Sequence, residues 1–188
     1  MSKARGESKY VAIRKSGIHN RGIFAARDIP EGERVIEYVG DKVTKAESDR
    51  RADLQLDKAG KNGDGAVYIF TLNKRYDIDG NVSWNKARLA NHSCDPNCET
   101  DVIKGHVYLI SLREIGKGEE ITYNYNFDLE FFEDHPCLCG TEKCVGYIVG
   151  DEYWPKLRKA IKKKKAAKRK KAAKGKGGKK GGKAGKKK

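Results

Sequence analysis

Cys137, Cys139 and Cys144 place three thiols within eight residues, in the pattern Cys-x-Cys-x4-Cys. Zinc takes four ligands in tetrahedral array, and all-cysteine sites of this kind are usually structural. Three ligands in one short run therefore demand a fourth from elsewhere, and only Cys94 and Cys98 remain. Spacing alone does not choose between them. Either choice folds residues 137–144 back over residues 91–98. Four ligands and one spare are also a simpler account of five cysteines than two disulfides and an orphan.

Charge divides the chain into two parts. Residues 156–188 hold 19 of the 41 Lys and Arg and no acid, which leaves 22 basic against 26 acidic side chains in residues 1–155. A mildly acidic globular part is thus joined to a cationic tail. No stretch approaches the roughly 18 apolar residues of a membrane span, and the start, Met1-Ser2-Lys3-Ala4-Arg5-Gly6-Glu7, has no apolar secretory segment. These features lead us to expect no membrane partner and an intracellular protein: nuclear and chromatin-bound in a eukaryote, cytoplasmic or nucleoid-bound in a bacterium.

Residues 1–8 read as a flexible N-terminus. Strands are expected at Tyr10–Arg14, Gly22–Ala26, Arg34–Val39, Ala66–Leu72, Tyr76–Asp79, His106–Leu112 and Ile121–Tyr125, from their β-branched and aromatic content and flanking turns. Thr44-Lys45-Ala46-Glu47 fits a capping box opening a helix to about Lys58, stopped by Gly60 and followed by a polar loop, Lys61–Gly65. Trp84–Ala90 suggests one or two helical turns. Strands do not alternate with long helices, so a doubly wound nucleotide fold is not expected. The predicted class is mostly β with short helices, arranged as several small sheets. A short helix is expected over 151–161, with Trp154, Leu157 and Ile161 on one face, and a disordered Lys-rich tail over 162–188.

Arg88-Leu89-Ala90-Asn91-His92-Ser93-Cys94-Asp95-Pro96-Asn97-Cys98, then Glu119-Glu120-Ile121-Thr122-Tyr123-Asn124-Tyr125, then the cysteine run, resemble in order the SET-domain lysine methyltransferases. The resemblance covers residues 9–150. It implies a SET domain at 9–128, with an insert at about 41–79 facing the substrate, around a pseudoknot-like crossing. A zinc-pinned post-SET segment would follow at 133–150, and no cysteine-rich pre-SET segment precedes residue 9.

The resemblance also assigns roles. Cys94 joins Cys137, Cys139 and Cys144 on Zn2+. Tyr125 is the catalytic tyrosine, and Tyr123 occupies the place where Tyr or Phe sets product multiplicity, which implies mainly monomethylation. The cofactor would be S-adenosyl-L-methionine, contacted by His19 and Arg21 in the loop Gly17–Phe24, by Tyr68, by Asn91 and His92 chiefly through the backbone, and by the main chain of Leu138. The chemistry suits these residue types. A lysine amine, with a pKa near roughly 10.4 in water, is neutralised by an apolar channel beside a positive sulfonium, and tyrosines supply both walls and orienting hydroxyls.

The implied function is methylation of histones or histone-like basic proteins. The tail resembles those of histone-like DNA-compacting proteins and would bind nucleic acid non-specifically through residues 156–188. The rival from another class is an architectural DNA-binding protein with a non-catalytic SET-like domain.

Overall fold

Strands of two to six residues cannot each build a core, and the described residues combine them into three small sheets. The computed structural model describes residues 6–62 and 67–176. The strands are β1 (Val11–Lys15), β2 (Arg21–Ala25), β3 (Arg34–Tyr38), β4 (Asp41–Thr44), β5 (Ile69–Thr71), β6 (Tyr76–Asp79), β7 (Asn91–His92), β8 (Cys98–Ile103), β9 (His106–Ser111) and β10 (Glu120–Tyr123). They order as β1-β2-β10-β7, β3-β9-β8 and β4-β6-β5. The helices are α1 (Lys45–Asn62) and α2 (Trp154–Lys176), with a 3-10 turn at Lys86–Leu89. The expected class, mostly β in small sheets, is what the chain adopts.

The pairing that matters most is β7 with β10. It runs parallel, Thr122 beside Asn91 and Tyr123 beside His92. On its other edge β10 pairs antiparallel with β2, Ile121 opposite Ile23. Both isoleucines are fully buried, with Ile29, Leu109 and Ile115, in the core that underlies the site. In β9, Val107, Leu109 and Ser111 are buried in strict alternation. In β3 the alternation breaks, because a register shift between Arg34 and Ile36 lets consecutive Val35 and Ile36 both face inward.

Three strands lie outside the predicted set. β4 and β8 expose most of their side chains and carry acids or lysine, so they lack an apolar alternation. β7 is only two residues long and exists because β10 lies beside it. Helix α1 runs past Gly60 to Asn62, since one interior glycine costs only about 1 kcal/mol and need not end a helix. At its start the Glu47 N–H reaches Thr44 Oγ1 at 3.4 Å. The Glu47 carboxylate turns to Arg50 and Arg51 instead of closing the box. Residues 63–65 of the expected loop, and residue 66 of the strand expected after it, lie outside the described residues.

The chain divides at Gly150 into two units, Met1–Gly150 and Asp151–Lys188. The expected SET and post-SET segments both fall in the first. In the second, α2 continues well beyond the predicted end at residue 161, so the disorder expected from residue 162 is corrected as far as Lys176. Lys, Ala and Arg are strong helix formers, and no Gly or Pro interrupts residues 156–174. Of its expected apolar face, Leu157 is fully buried and Trp154 and Ile161 partly so. Residues 177–188 lie outside the described residues. No described helix is long and apolar enough to cross a membrane.

Candidate active site

Asn91 is buried, and its side-chain amide is committed inside the protein. It donates to Glu120 Oε1 at 2.7 Å and to the carbonyls of Arg21 and His19 at 3.3 and 3.4 Å. Glu120 also accepts the Ser16 hydroxyl at 2.7 Å, while Ser16 Oγ accepts the Ile18 N–H at 2.9 Å. These bonds clamp both ends of the loop between β1 and β2, and leave His19 and Arg21 exposed on it. A Cβ at Gly22, at the loop's end, would fall 2.3 Å from Glu120 Oε1 and push the clamping carboxylate aside. Ser16 and Glu120 were not among the expected site residues. Nothing in the doublet Glu119-Glu120 marks which carboxylate turns inward.

Beside this clamp lies a narrow cavity of about 90 Å³ lined by Tyr38, Tyr68, Phe70, Tyr123, Tyr125 and Phe127, among others. The expected pair of tyrosines does meet there, with rings 4.9 Å apart. The reason differs from strand periodicity, since β10 ends at Tyr123. Tyr125 is instead placed by two bonds to the Asn91 segment: its N–H donates to His92 Nδ1 at 3.3 Å and its hydroxyl to the Ala90 carbonyl at 2.9 Å.

Tyr68 is held at both ends of its peptide. Its N–H donates to Gln55 of α1 at 2.9 Å, and its carbonyl accepts the Tyr38 hydroxyl at 3.0 Å. The Arg88 guanidinium lies 5.4 Å from its ring. Tyr38, Arg88 and Gln55 are cavity or supporting residues that sequence reasoning did not assign, because their roles arise from contacts across the fold.

Burial, then the neighbouring tyrosines, pushes the phenols of Tyr38, Tyr123 and Tyr125 above their ordinary value. All three stay protonated at neutral pH and act as hydrogen-bonding groups, not phenolate bases. Tyr123 is only 9% exposed, and its ring lies 6.1 Å from that of Phe70 and 4.9 Å from that of Tyr125. Burial also pushes His92 down to about 4, so its imidazole is neutral.

The sulfurs of Cys94, Cys137, Cys139 and Cys144 lie within 4.8 Å of one another. Cys98 opens β8 in the hydrophobic core, fully buried, and stands outside this group. The structure thus separates the two candidates that spacing could not. Cys94 and Cys137 sulfurs are 3.7 Å apart, close to the roughly 3.8 Å edge of a tetrahedron with 2.3 Å zinc–sulfur bonds.

The run closes on itself through left-handed Gly140 and Gly146 and N–H donation from Cys139 to Cys137 Sγ and from Gly146 to Cys144 Sγ. Burial pushes Cys94 up to about 11. Burial acts on Cys139 in the same sense, but N–H donation from Cys94 and the Thr141 hydroxyl outweighs it and holds this thiol down to about 6. Leu138, between two of the cysteines, is 64% exposed.

A short parallel strand beside a tyrosine pair, a clamped loop and a cysteine tetrad define a SET-type domain. A family model described as the SET domain matches residues 20–126, more than half of the chain, and the chain belongs to that family. It is 38% identical over 146 residues to a histone-lysine N-methyltransferase, H3 lysine-4 specific, of Aspergillus fumigatus. It is 37% identical over 143 residues to the histone-lysine N-methyltransferase trithorax of Drosophila virilis, and 36% over 146 to the H3 lysine-4 specific enzyme of Saccharomyces cerevisiae. Each match covers 74% of this chain but only 11%, 4% and 13% of the relative. The chain thus matches a small part of much longer proteins.

Proposed function

We propose that this protein is an S-adenosylmethionine-dependent protein-lysine N-methyltransferase acting on histones or histone-like basic proteins. The observation that carries the reading is the aromatic cavity, where the buried Tyr123 stands beside the anchored Tyr125. Such a cavity takes an alkyl stem and offers a polar end to an amine. Relatives named for histone-lysine methylation point the same way.

The loop bearing His19 and Arg21 suits a cofactor, because its inward carbonyls are occupied by Asn91 and the side chains of His19 and Arg21 are exposed. Arg21 would take the cofactor's carboxylate, a geometry that guanidinium favours. His19, Asn91, His92 and Leu138 would contribute main-chain or edge contacts, and Tyr68 a ring. S-adenosylmethionine, when bound, supplies a methyl group on a positive sulfonium.

Tyr38, Tyr68 and Phe70 exclude water from the entering side chain. That desolvation favours the neutral amine, so the lysine releases its proton to solvent water before it is fully seated. The phenols, protonated as they are, orient the nitrogen lone pair and do not abstract the proton. Alignment in a dry site supplies most of the rate. Tyr123 would hold a water beside the amine and limit room for an already methylated one, which favours monomethylation. The cysteine tetrad fits Zn2+ in donor type, number and spacing, and would pin the post-SET segment against the residues that carry Asn91.

Residues 1–155 carry 22 basic against 26 acidic side chains, a balance that favours basic partners. Residues 156–188 would bind nucleic acid through phosphates alone, as they contain no aromatic residue. The protein would work at chromatin or its bacterial counterpart.

Mass spectrometry of the protein with S-adenosylmethionine and mixed core histones tests the proposal, one added methyl mass on a histone lysine being expected. Tyr125→Phe should lower the rate about 100-fold or more, as loss of one positioned donor does elsewhere. An unchanged rate removes Tyr125 from the reaction. No transfer to any protein, with DNA retained, would favour the architectural rival. Tyr123→Phe should shift products toward higher methylation, and an unaltered product ratio defeats that role.

A further inference from the structure

The His92 Nδ1 lies 3.3 Å from the Tyr125 backbone nitrogen. An amide N–H can only donate, so Nδ1 presents its lone pair and the proton of the neutral ring sits on Nε2. Nε2 in turn lies 3.6 Å from Sγ of Cys94, within hydrogen-bond reach of a sulfur acceptor. The ring has little freedom to turn away: it is 4% exposed and packs edge-on against the Tyr125 ring at 5.4 Å.

We propose that His92 is a positioning residue joining the cysteine tetrad to the tyrosine site, donating from Nε2 to the Cys94 sulfur and accepting the Tyr125 N–H at Nδ1. This rests on the zinc reading of the tetrad. A protonated Nε2 cannot itself bind metal, so His92 stands behind the ligand sphere. A donor to a metal-bound thiolate steadies the ligand and fixes the tautomer of the donor ring. That tautomer is the one able to hold the backbone of Tyr125. The metal would therefore order the catalytic tyrosine through a single side chain, from Cys94 through His92 to Tyr125.

NMR of the unmodified protein with NMR-active cadmium in place of zinc tests this without activity. The cadmium shift is read first: a four-thiolate value supports the tetrad by itself, and a protein that takes up no cadmium overturns both tetrad and link. In the loaded protein, His92 should carry its proton on Nε2, and that proton should couple to cadmium through sulfur. Protonation on Nδ1, or absence of the coupling, overturns the proposal.

His92→Phe keeps the ring and removes both nitrogens. Zinc affinity against a chelator should fall about 10–100-fold, and the thiolate charge-transfer band of the cobalt form should move to longer wavelength. Unchanged affinity and band would overturn the link. Tyr125→Phe, which keeps its backbone N–H, should move neither signal even where it abolishes methyl transfer. Failure of the methyltransferase reading is thereby distinguished from failure of the link.

Discussion

The Tyr125 hydroxyl is held by a carbonyl 35 residues earlier in the chain, whereas each turn of α2 is held by the turn before it. The tyrosine site is a product of distant meetings: β7 with β10, Gln55 with Tyr68, Asn91 with the β1–β2 loop. The lysine helix needs no such meetings to form its hydrogen bonds, and its residues 162–169 are all exposed. One region is ordered by packing and the other by propensity. Damage should therefore spread through the first and stay local in the second.

The strongest way to break that contrast is Ile121→Ala. The residue is fully buried between β2 and β7, and removing it should cost about 2–5 kcal/mol. The loss should appear as a lower denaturation midpoint together with weaker cofactor binding, because Glu120 and Thr122 sit on the same strand. A destabilised protein with unaltered cofactor affinity would show that the loop clamp does not depend on the core beneath it.

Ala167→Gly in α2 is the converse. It should cost about 1 kcal/mol of helix propensity, seen as a small loss of helical circular dichroism. The denaturation midpoint of the first unit should not move, and a shift there would contradict the local character of α2.

The smallest effect belongs to α1, which lies between the extremes. Arg50 and Arg51 donate to Glu47 and hold its carboxyl down to about 2. A depressed carboxylate contributes stability that is fully present above its unfolded value of roughly 4.3 and is lost as pH falls toward 2. Glu47→Gln should lower α1 helicity slightly at pH 7, where that contribution is present, and flatten its acid dependence across the window. An acid profile identical to that of the parent chain would show that this exposed cluster contributes nothing.

What the amino-acid order disclosed follows the same division. Strands with an apolar face, such as β9, were legible because burial imposes period two on their side chains. β4 and β8 were not, because their partners bury the apolar side and the strands themselves show water a polar edge. The length of α2 is not legible from a low-complexity stretch without a core, although alanine and lysine suffice for a helix. In the site, the residue types that the structure brings together were legible: paired tyrosines, an Asn-His step, clustered cysteines. Which cysteine joins the cluster was settled only when β8 drew Cys98 into the core. Glu120, Ser16 and Gln55 are ordinary polar residues in sequence, and each becomes functional only through the segment it meets.

The placement of β10 has a consequence for how the molecule comes into being. The loop bearing His19 and Arg21 is near the start of the chain, yet the strand beside it and the carboxylate that clamps it, Glu120, come about a hundred residues later. The Cys94 thiol likewise meets its three companions only with residues 137–144. A nascent chain emerging from the ribosome therefore carries the loop of His19 and Arg21 unclamped for about a hundred residues of synthesis, and the Cys94 thiol alone for about forty. Pairings this distant in sequence are slow to form, so assembly of the site should be a late event in folding. Chains stalled before residue 120 should lack the carboxylate that clamps this loop, and chains stalled between residues 126 and 136 should have the tyrosines without the three later cysteines.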